Sequence, residues 1–487
     1  MGVQFLIGRS GTGKTAAILN EIREKLKNSP DEGRSIVLLV PDQMTFQMEY
    51  ELMKSKNLGG MIRGQVFSFN RLAFRVLQQE GGISRQHISP TGISMLLRKI
   101  IEEKKDEFKV FAKACEKKGF IDHAEQMITE FKRYLISPDL LEEEAKKLAG
   151  SVEHQERILA DKLHDLAIIY RFMEKELHNK YIHSEDYLQL LAEKVLESDL
   201  MQNSEVYIDG FHSFTPQELL VVESMMKTAS FVKIALTMDG KSFEHVPDEL
   251  HLFHMTSTTY QTLKKIAEQN DVSVEEDVRF MQLQRFKQVP SLLHLEKQIE
   301  LPAAKPFEGD CAITFMQAAN RQAEIEGIAR EIIRLVRDEG SRYRDIALFI
   351  RNMSDYRDLL EKLFQDYEIP FFIDEKSPMF YHPFIEFIRS SLEIMTGNWR
   401  YEAVFRTVKT EFLYPLDVDK TDMRRKFDIF ENYVLAYGIQ GEKWTDQKRW
   451  SYKKYDSLDD DWEKTDEDRE IEELVNQLKE MIVRPLR

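Results

Sequence analysis

Val3-Gln4-Phe5-Leu6-Ile7-Gly8-Arg9-Ser10-Gly11-Thr12-Gly13-Lys14-Thr15-Ala16-Ala17-Ile18-Leu19 is the stretch that decides the fold. A short apolar run, residues 3–7, enters a glycine loop, and the loop opens a helical run over residues 16–27. A second apolar run at residues 36–40 stops at Pro41. Strand, glycine loop, helix and strand make a βαβ unit, whose crossover requires a parallel sheet. The loop fits Gly8-x-x-x-x-Gly13-Lys14-Thr15, the complete phosphate-binding pattern. Its glycines permit positive φ and close approach of backbone to a phosphate. The loop amides and the helix N-terminus then favour the anion. Gly8, Arg9, Ser10, Gly11, Thr12, Gly13, Lys14 and Thr15 are therefore expected to bind ATP. Lys14 would reach the β- and γ-phosphates, and the Thr15 hydroxyl would ligate Mg2+. A chance glycine turn would not need the strand before it and the helix after it.

Outward from this loop, a third strand is expected near residues 64–69. From about residue 90 to 200 the pattern changes. Leu96, Leu97, Ile100, Ile101, Phe108 and Phe111, and later Leu159, Leu163, Leu166 and Ile169, recur at helical spacing with Lys and Glu between them. Strand character returns at Val206-Tyr207-Ile208-Asp209 and at residues 231–236, so a helical insertion interrupts the sheet. Residues 250–310 form a mixed connection punctuated by Pro290, Pro302 and Pro306. A second α/β region is expected to open at residues 312–316, followed by a helix at 323–338 and a strand at 345–350. The tail, from about residue 380, is helical and increasingly charged, and it ends without the signs of a domain end.

A chain of 487 residues with 42% hydrophobic and 31% charged residues can form two or three domains. No apolar run approaches the roughly 20 residues a bilayer span needs, and no basic segment precedes the first apolar stretch as in a secretory signal. Cys115 and Cys311 have neither metal nor disulfide spacing; each is expected to be a small core hydrophobe in a reducing cytoplasm. The net charge of −16 argues mildly against nucleic acid, yet a local basic channel can operate inside an acidic surface. The acidic run Asp459-Asp460-Asp461 with Asp466, Glu467 and Asp468 lacks calcium-loop spacing and reads as a solvated face. His183-Ser184-Glu185-Asp186 reads as a helix cap.

Asp209, ending an apolar strand, fits the acid that holds Mg2+ beside a phosphate loop. Active motors usually follow that acid with a Glu that activates water. Gly210 stands there and can do no such work.

Five segments resemble the AddB family, the B subunits of bacterial AddAB helicase–nucleases. They are Val40-Pro41-Asp42-Gln43-Met44-Thr45-Phe46, Gln65-Val66-Phe67-Ser68-Phe69-Asn70-Arg71-Leu72-Ala73, Ile208-Asp209-Gly210-Phe211-His212-Ser213-Phe214-Thr215-Pro216-Gln217, Ala318-Ala319-Asn320-Arg321-Gln322-Ala323-Glu324-Ile325-Glu326 and Gly397-Asn398-Trp399-Arg400-Tyr401-Glu402-Ala403-Val404-Phe405-Arg406. The resemblance spans essentially the whole chain. It implies an α/β, superfamily 1 helicase-like fold of RecA-like parallel-sheet domains with large helical insertions. The first such domain would take residues 1–90 and 200–290, with its insertion at 91–199. The second would begin at 291–380 and carry its insertion at 381–487, cut short.

In this family the helicase consensus Asp-Glu-x-Gln-Asp is degenerate, here Asp209-Gly210-Phe211-His212-Ser213. The Gln that senses γ-phosphate has no counterpart in Leu236-Thr237-Met238-Asp239-Gly240-Lys241, although Arg351 matches the second-domain Arg that approaches that phosphate. The family further implies single-stranded DNA scanned for a Chi-type recombination signal, with an AddA-type helicase–nuclease as heterodimer partner. Gln43, Thr45, Phe69, Arg71, Phe74 and Phe211, just beyond sheet strands, are the expected DNA contacts. A nuclease domain with an iron–sulfur cluster on four cysteines would belong to a part absent from this sequence. Two other readings stand beside this one: an active superfamily 1 DNA-dependent ATPase and a P-loop small-molecule kinase.

Overall fold

The structure is a computed structural model that describes residues 2–30, 32–54, 60–82, 86–113, 117, 119–178, 180–239, 245–373, 379–453 and 465–486. The chain divides into two compact units, Met1–Phe315 and Met316–Arg487.

The first unit is built on an all-parallel sheet of β1 (Gly2–Gly8), β2 (Ile36–Leu39), β3 (Gly64–Phe67), β6 (Glu205–Ile208), β7 (Phe231–Thr237), β8 (Ser273–Val274) and β9 (Val278–Phe280). A further pair, β4 (Gln86–His87) and β5 (Tyr181–Ile182), lies apart from it. The sheet order is β3-β2-β6-β7-β1-β8, and β9 also pairs with β1. The strands obey the period-2 rule on both faces. Val3, Phe5, Ile7, Val37, Leu39, Val206 and Ile208 enter one core with Leu72 and Val76 of α3 (Phe69–Glu80). Leu6, Ile36, Leu38 and Tyr207 enter the other with Ile18, Ile22 and Leu26 of α1 (Lys14–Asn28) and Met48 and Leu52 of α2 (Thr45–Met53). A sheet covered on both faces needs strands without a polar side, as residues 36–39 show.

Between β3 and β6 the chain runs through α4 (Pro90–Lys104), α5 (Phe120–Arg133), α6 (Pro138–Ala149) and α7 (His154–Leu177), which pack around a core of their own. The pairing of His87 with Ile182 closes the base of this insertion, so the chain leaves and re-enters at neighbouring points. α8 (Asp186–Val195) and α9 (Pro216–Thr228) follow on the sheet, the latter opened by a Thr215–Glu218 capping box. α10 (His254–Gln269) and α11 (Pro290–Gln298) complete the unit. His183 accepts the Glu185 N–H and so serves the turn before α8.

The second unit departs from expectation. Among its described residues there is no β-strand. The segments 312–316 and 345–350 are not strands either; residues 343–345 form a 3-10 turn instead. A strand exists only with a lateral backbone partner, and none lies beside them among the described residues. Ile346 to Ile350 instead line, with Phe364, Phe371 and Phe372, an apolar cleft of about 1000 Å3. The helix expected at 323–338 runs as α12 (Arg321–Asp338), capped by Asn320. Further helices, Tyr401–Lys409, Lys420–Ala436 and Asp466–Val483 among them, enclose an aromatic core of Trp399, Phe405, Phe427, Phe430, Trp444 and Trp450. Cys311 is exposed rather than core, because the segment it opens joins no sheet; Cys115 lies outside the described residues. Of the acidic run, residues 459–461 lie outside the described set, while Asp468 is turned inward as a capping box with Thr465.

Candidate nucleotide-binding site

The phosphate loop lies at the carboxyl edge of the sheet, where open parallel sheets bind ligands. Gly8 is flanked on both sides, by Thr237 of β7 and by Phe280 of β9. A Cβ at position 8 would stand 2.5 Å from the Phe280 carbonyl oxygen, so only glycine fits. Gly11 (φ 81°) and Gly13 (φ 102°) adopt the left-handed conformations that turn the loop into α1. Thr12 closes the loop by donating its hydroxyl to the Arg9 carbonyl at 2.8 Å.

Lys14 is buried, and its ammonium donates to the carbonyls of Gly8 (2.6 Å) and Arg9 (3.0 Å). Burial pulls its pKa down to about 8; the Asp209 carboxylate works against this and the Arg285 guanidinium adds to it. Asp209 is also buried, and burial raises its pKa against the opposing pull of the Thr15 hydroxyl, the Gly210 N–H and Lys14. One carboxylate oxygen, Oδ1, accepts the Gly210 N–H at 2.9 Å; the other, Oδ2, is buried without a hydrogen-bond partner. An orphaned carboxylate oxygen beside a threonine hydroxyl at the start of a P-loop helix is a hard oxygen donor set, and these residues fit Mg2+.

The position after Asp209 is closed to a larger residue. Gly210 has φ 85°, and a Cβ there would stand 2.7 Å from Met44 Sδ and 3.1 Å from Pro41 Cδ. Of the remaining nucleotide candidates, Arg9 directs its guanidinium away from the loop interior, onto Glu296 and Glu300 at 2.5 Å each. Arg351 is exposed in the second unit. Gly240 and Lys241 lie outside the described residues.

The six expected DNA contacts do not form one face. Gln43, Phe69 and Phe211 line a cleft of about 470 Å3 at the ends of β2, β3 and β6, together with Arg133 and Glu185 of the insertion. Arg71 and Phe74 line a neighbouring groove of about 660 Å3 along the edge strand β3. Phe69 is only 6% exposed and packs edge-to-face on Phe211 at 5.4 Å, and Thr45 is buried with its hydroxyl donating to the Asp42 carbonyl. Phe69 therefore shapes the cleft rather than offering a free face, and Thr45 is not among the residues that line either cleft. Arg71 is exposed and holds Glu49 at 3.2 Å.

Sequence reasoning does not single out Asn70, which lines both clefts and donates to Asp42 at 3.2 Å. The signal was there: an amide between Phe69 and Arg71. Nor does it single out Phe46 and Tyr50, exposed one helical turn apart on α2 with ring centroids at 6.5 Å. Among the described residues no cluster of three or more metal-ligating side chains occurs, and no helix is long and apolar enough to cross a membrane.

Comparison with known proteins adds what geometry leaves open. A family model described as "ADDB, N-terminal" matches residues 5–296. Among the B subunits of ATP-dependent helicase/deoxyribonucleases, that of Bacillus subtilis (strain 168) is 50% identical over 490 residues, covering 100% of this chain and 42% of that protein. Its counterpart in Bacillus velezensis is 51% identical over 489 residues, and that of Geobacillus kaustophilus 48% over 490, with the same coverage. The chain thus spans 42% of the length of these relatives.

Proposed function

This chain belongs to the AddB N-terminal family, and we propose that it is the ATP-binding, largely non-motor portion of a protein that processes DNA double-strand breaks for recombinational repair. In this reading the first unit is a superfamily 1-type RecA-like domain carrying a helical insertion. Arg351 belongs to the nucleotide's γ-phosphate side. The chain works in the cytoplasm on single-stranded DNA, recognises a Chi-type sequence, and is paired with an AddA-type helicase–nuclease. Nuclease chemistry and an iron–sulfur cluster belong to the longer protein.

The observation that carries the reading is the contrast between a complete P-loop and the closed position at Gly210. Lys14 supplies a cation to the β- and γ-phosphates, and the loop amides and the α1 N-terminus supply oriented dipoles. Thr15 and Asp209 would hold Mg2+, which neutralises charge on the phosphates when bound. No proton acceptor follows Asp209, and steric closure around Gly210 leaves none room. Water beside the γ-phosphate goes unactivated, so nucleotide serves as a ligand rather than as fuel.

DNA reading is assigned to the adjoining clefts. Amide and guanidinium groups of Gln43 and Arg71 can distinguish base edges, while the rings of Phe211 and Phe74 offer faces for stacking. Phe69 and Thr45 hold that edge in place. The Arg71–Glu49 pair is exposed, so exchanging it for a base contact costs roughly 1 kcal/mol or less.

The test is nucleotide affinity and turnover on the purified chain with single-stranded DNA. Mg-ATP binding that Lys14→Ala abolishes, with kcat well below the usual range, is expected. A DNA-stimulated kcat of roughly 1–10³ s⁻¹, lost in Lys14→Ala, would make the protein an active motor. For DNA, Gln43→Ala or Arg71→Ala in the complete helicase–nuclease should weaken response to the recognition sequence by about 1–3 kcal/mol while unwinding of random DNA persists. The reverse outcome assigns these residues to structure.

A further inference from the structure

Two arginines stand at the phosphate loop, and their surroundings differ. Arg9 lies within the loop, yet its guanidinium is fully engaged elsewhere. Nε donates to Glu296, Nη1 to Glu300 with Asp239 at 3.8 Å, Nη2 reaches the Glu296 carbonyl at 3.4 Å, and the ring of Phe253 lies 5.1 Å away. A guanidinium with two carboxylates on its fork is a tether, holding α11 to the loop.

Arg285 comes from outside the loop. β9 pairs with the end of β1, Gly8 opposite Phe280, so the chain leaving β9 must pass over the loop. It does so in contact. The Arg285 N–H donates to the Gly11 carbonyl at 3.0 Å. Measured from the Cβ position at Gly11, Arg285 Cβ lies at 2.9 Å and its Cδ at 3.6 Å, so the aliphatic stem runs along the loop apex. Gln284 Cγ lies 3.9 Å from the corresponding position at Gly13. The Arg285 side chain is exposed, and among the described residues it forms no ion pair. Its charge is felt by Lys14, a like charge already buried. Lys14 thus has the Arg285 charge on it as well as the Asp209 carboxylate. A cation at the apex of the loop, with no ion pair among the described residues, suits a polyanion.

We propose that Arg285 is a second cationic ligand of the nucleotide's polyphosphate, carried across the P-loop by the segment that follows β9, and that Arg9 is not one. The proposal rests on the reading of the P-loop as a nucleotide site. Glycine at position 11 then has two uses, a positive φ and room for the Arg285 stem. The segment 281–289 becomes part of the binding site, tying nucleotide occupancy to the connection between the sheet and α11.

The experiment compares Mg-ATP affinity of the full chain with that of Arg285→Gln, Arg285→Lys and Lys14→Ala, by calorimetry, together with thermal unfolding with and without Mg-ATP. Arg285→Gln keeps the backbone bond to Gly11 and should leave the unfolding midpoint of the nucleotide-free protein unchanged. Its affinity for Mg-ATP should fall about ten- to a hundredfold, as expected for a lost charge-assisted contact, with Arg285→Lys in between. Unaltered affinity in Arg285→Gln, with Lys14→Ala still inactive in binding, overturns the role of Arg285 and leaves the nucleotide site standing. A lowered midpoint in the nucleotide-free variant also overturns it, in favour of a structural role. If the unaltered protein binds no Mg-ATP, both the site and Arg285's role in it fall.

Discussion

At the residue scale, Gly210 and Lys14 decide what the proposed nucleotide site can do. Replacing Gly210 with Glu supplies the missing carboxylate in name only. Met44 can swing aside, but Pro41 cannot, and the left-handed backbone disfavours any side chain. Gly210→Glu is therefore expected to gain no ATP turnover and to lose about 2 kcal/mol of stability from strain and overpacking, measured by urea unfolding beside an ATPase assay. Restored turnover would show that the loop can rearrange. Lys14 gives a pH prediction with a definite sign. Burial holds its pKa at about 8, and a bound phosphate restores the charged form. Binding should take up a proton near and above that pH, and Mg-ATP affinity should be level below pH 8. Above it, affinity should fall by up to roughly tenfold per unit. Calorimetry at pH 7 to 9.5 in buffers of different ionisation enthalpy measures both effects. Lys14→Arg, always charged, should bind without that decline; the same decline in it would assign the titration to another group.

At the element scale, the helical insertion depends on a buried charge that faces backbone. Asp165, in the middle of α7, accepts the N–H groups of Lys109, Val110 and Phe111, each at 2.9 Å, and so pins the loop after α4 onto α7. Asp165→Ala strands three donors, and a loss of about 3 kcal/mol is expected. The readout is denaturant unfolding, with Mg-ATP affinity of the folded variant unchanged because the insertion core is separate from the two sheet cores. A coupled loss of affinity would tie the insertion to the nucleotide site. The same insertion supplies Arg133 to the cleft at the strand ends, held by Glu185 through two hydrogen bonds of 2.9 and 3.0 Å. A helical element thus helps to build a cleft at the ends of sheet strands.

At the scale of the whole molecule, two units each carry their own core, and their spectroscopic probes are segregated. All four tryptophans lie between residues 399 and 462, within the second unit. The P-loop is in the first. A ligand that binds only the folded first unit raises that unit's stability by RT ln(1 + [L]/Kd), about 2.7 kcal/mol at a hundredfold excess over Kd. Mg-ATP should therefore raise the far-ultraviolet circular dichroism transition of the first unit and leave the tryptophan fluorescence transition in place. A joint shift of both signals would show that the two units unfold as one.

The sequence by itself determined the P-loop, the parallel sheet interrupted by a helical insertion, the position of Asp209 and the absence of a Glu after it. Each of these is written locally: glycines that need positive φ, apolar runs of strand length, helical spacing in residues 90–200. Family resemblance added an expected DNA site, and its residues were legible as chemistry but not as surface. Only tertiary structure separated buried Phe69 and Thr45 from exposed Arg71 and Phe74, and showed Asn70 between two clefts. Tertiary structure also decided that Arg9 of the loop is spoken for by Glu296 and Glu300, and that Arg285, more than 270 residues from Gly11, lies against it. It left the run at 345–350 without a ladder, although its composition reads as a strand. The physical reason is common to all of these. Periodicity and turn chemistry act between neighbours in the chain, whereas exposure, ion pairing and strand pairing depend on which distant segment arrives alongside.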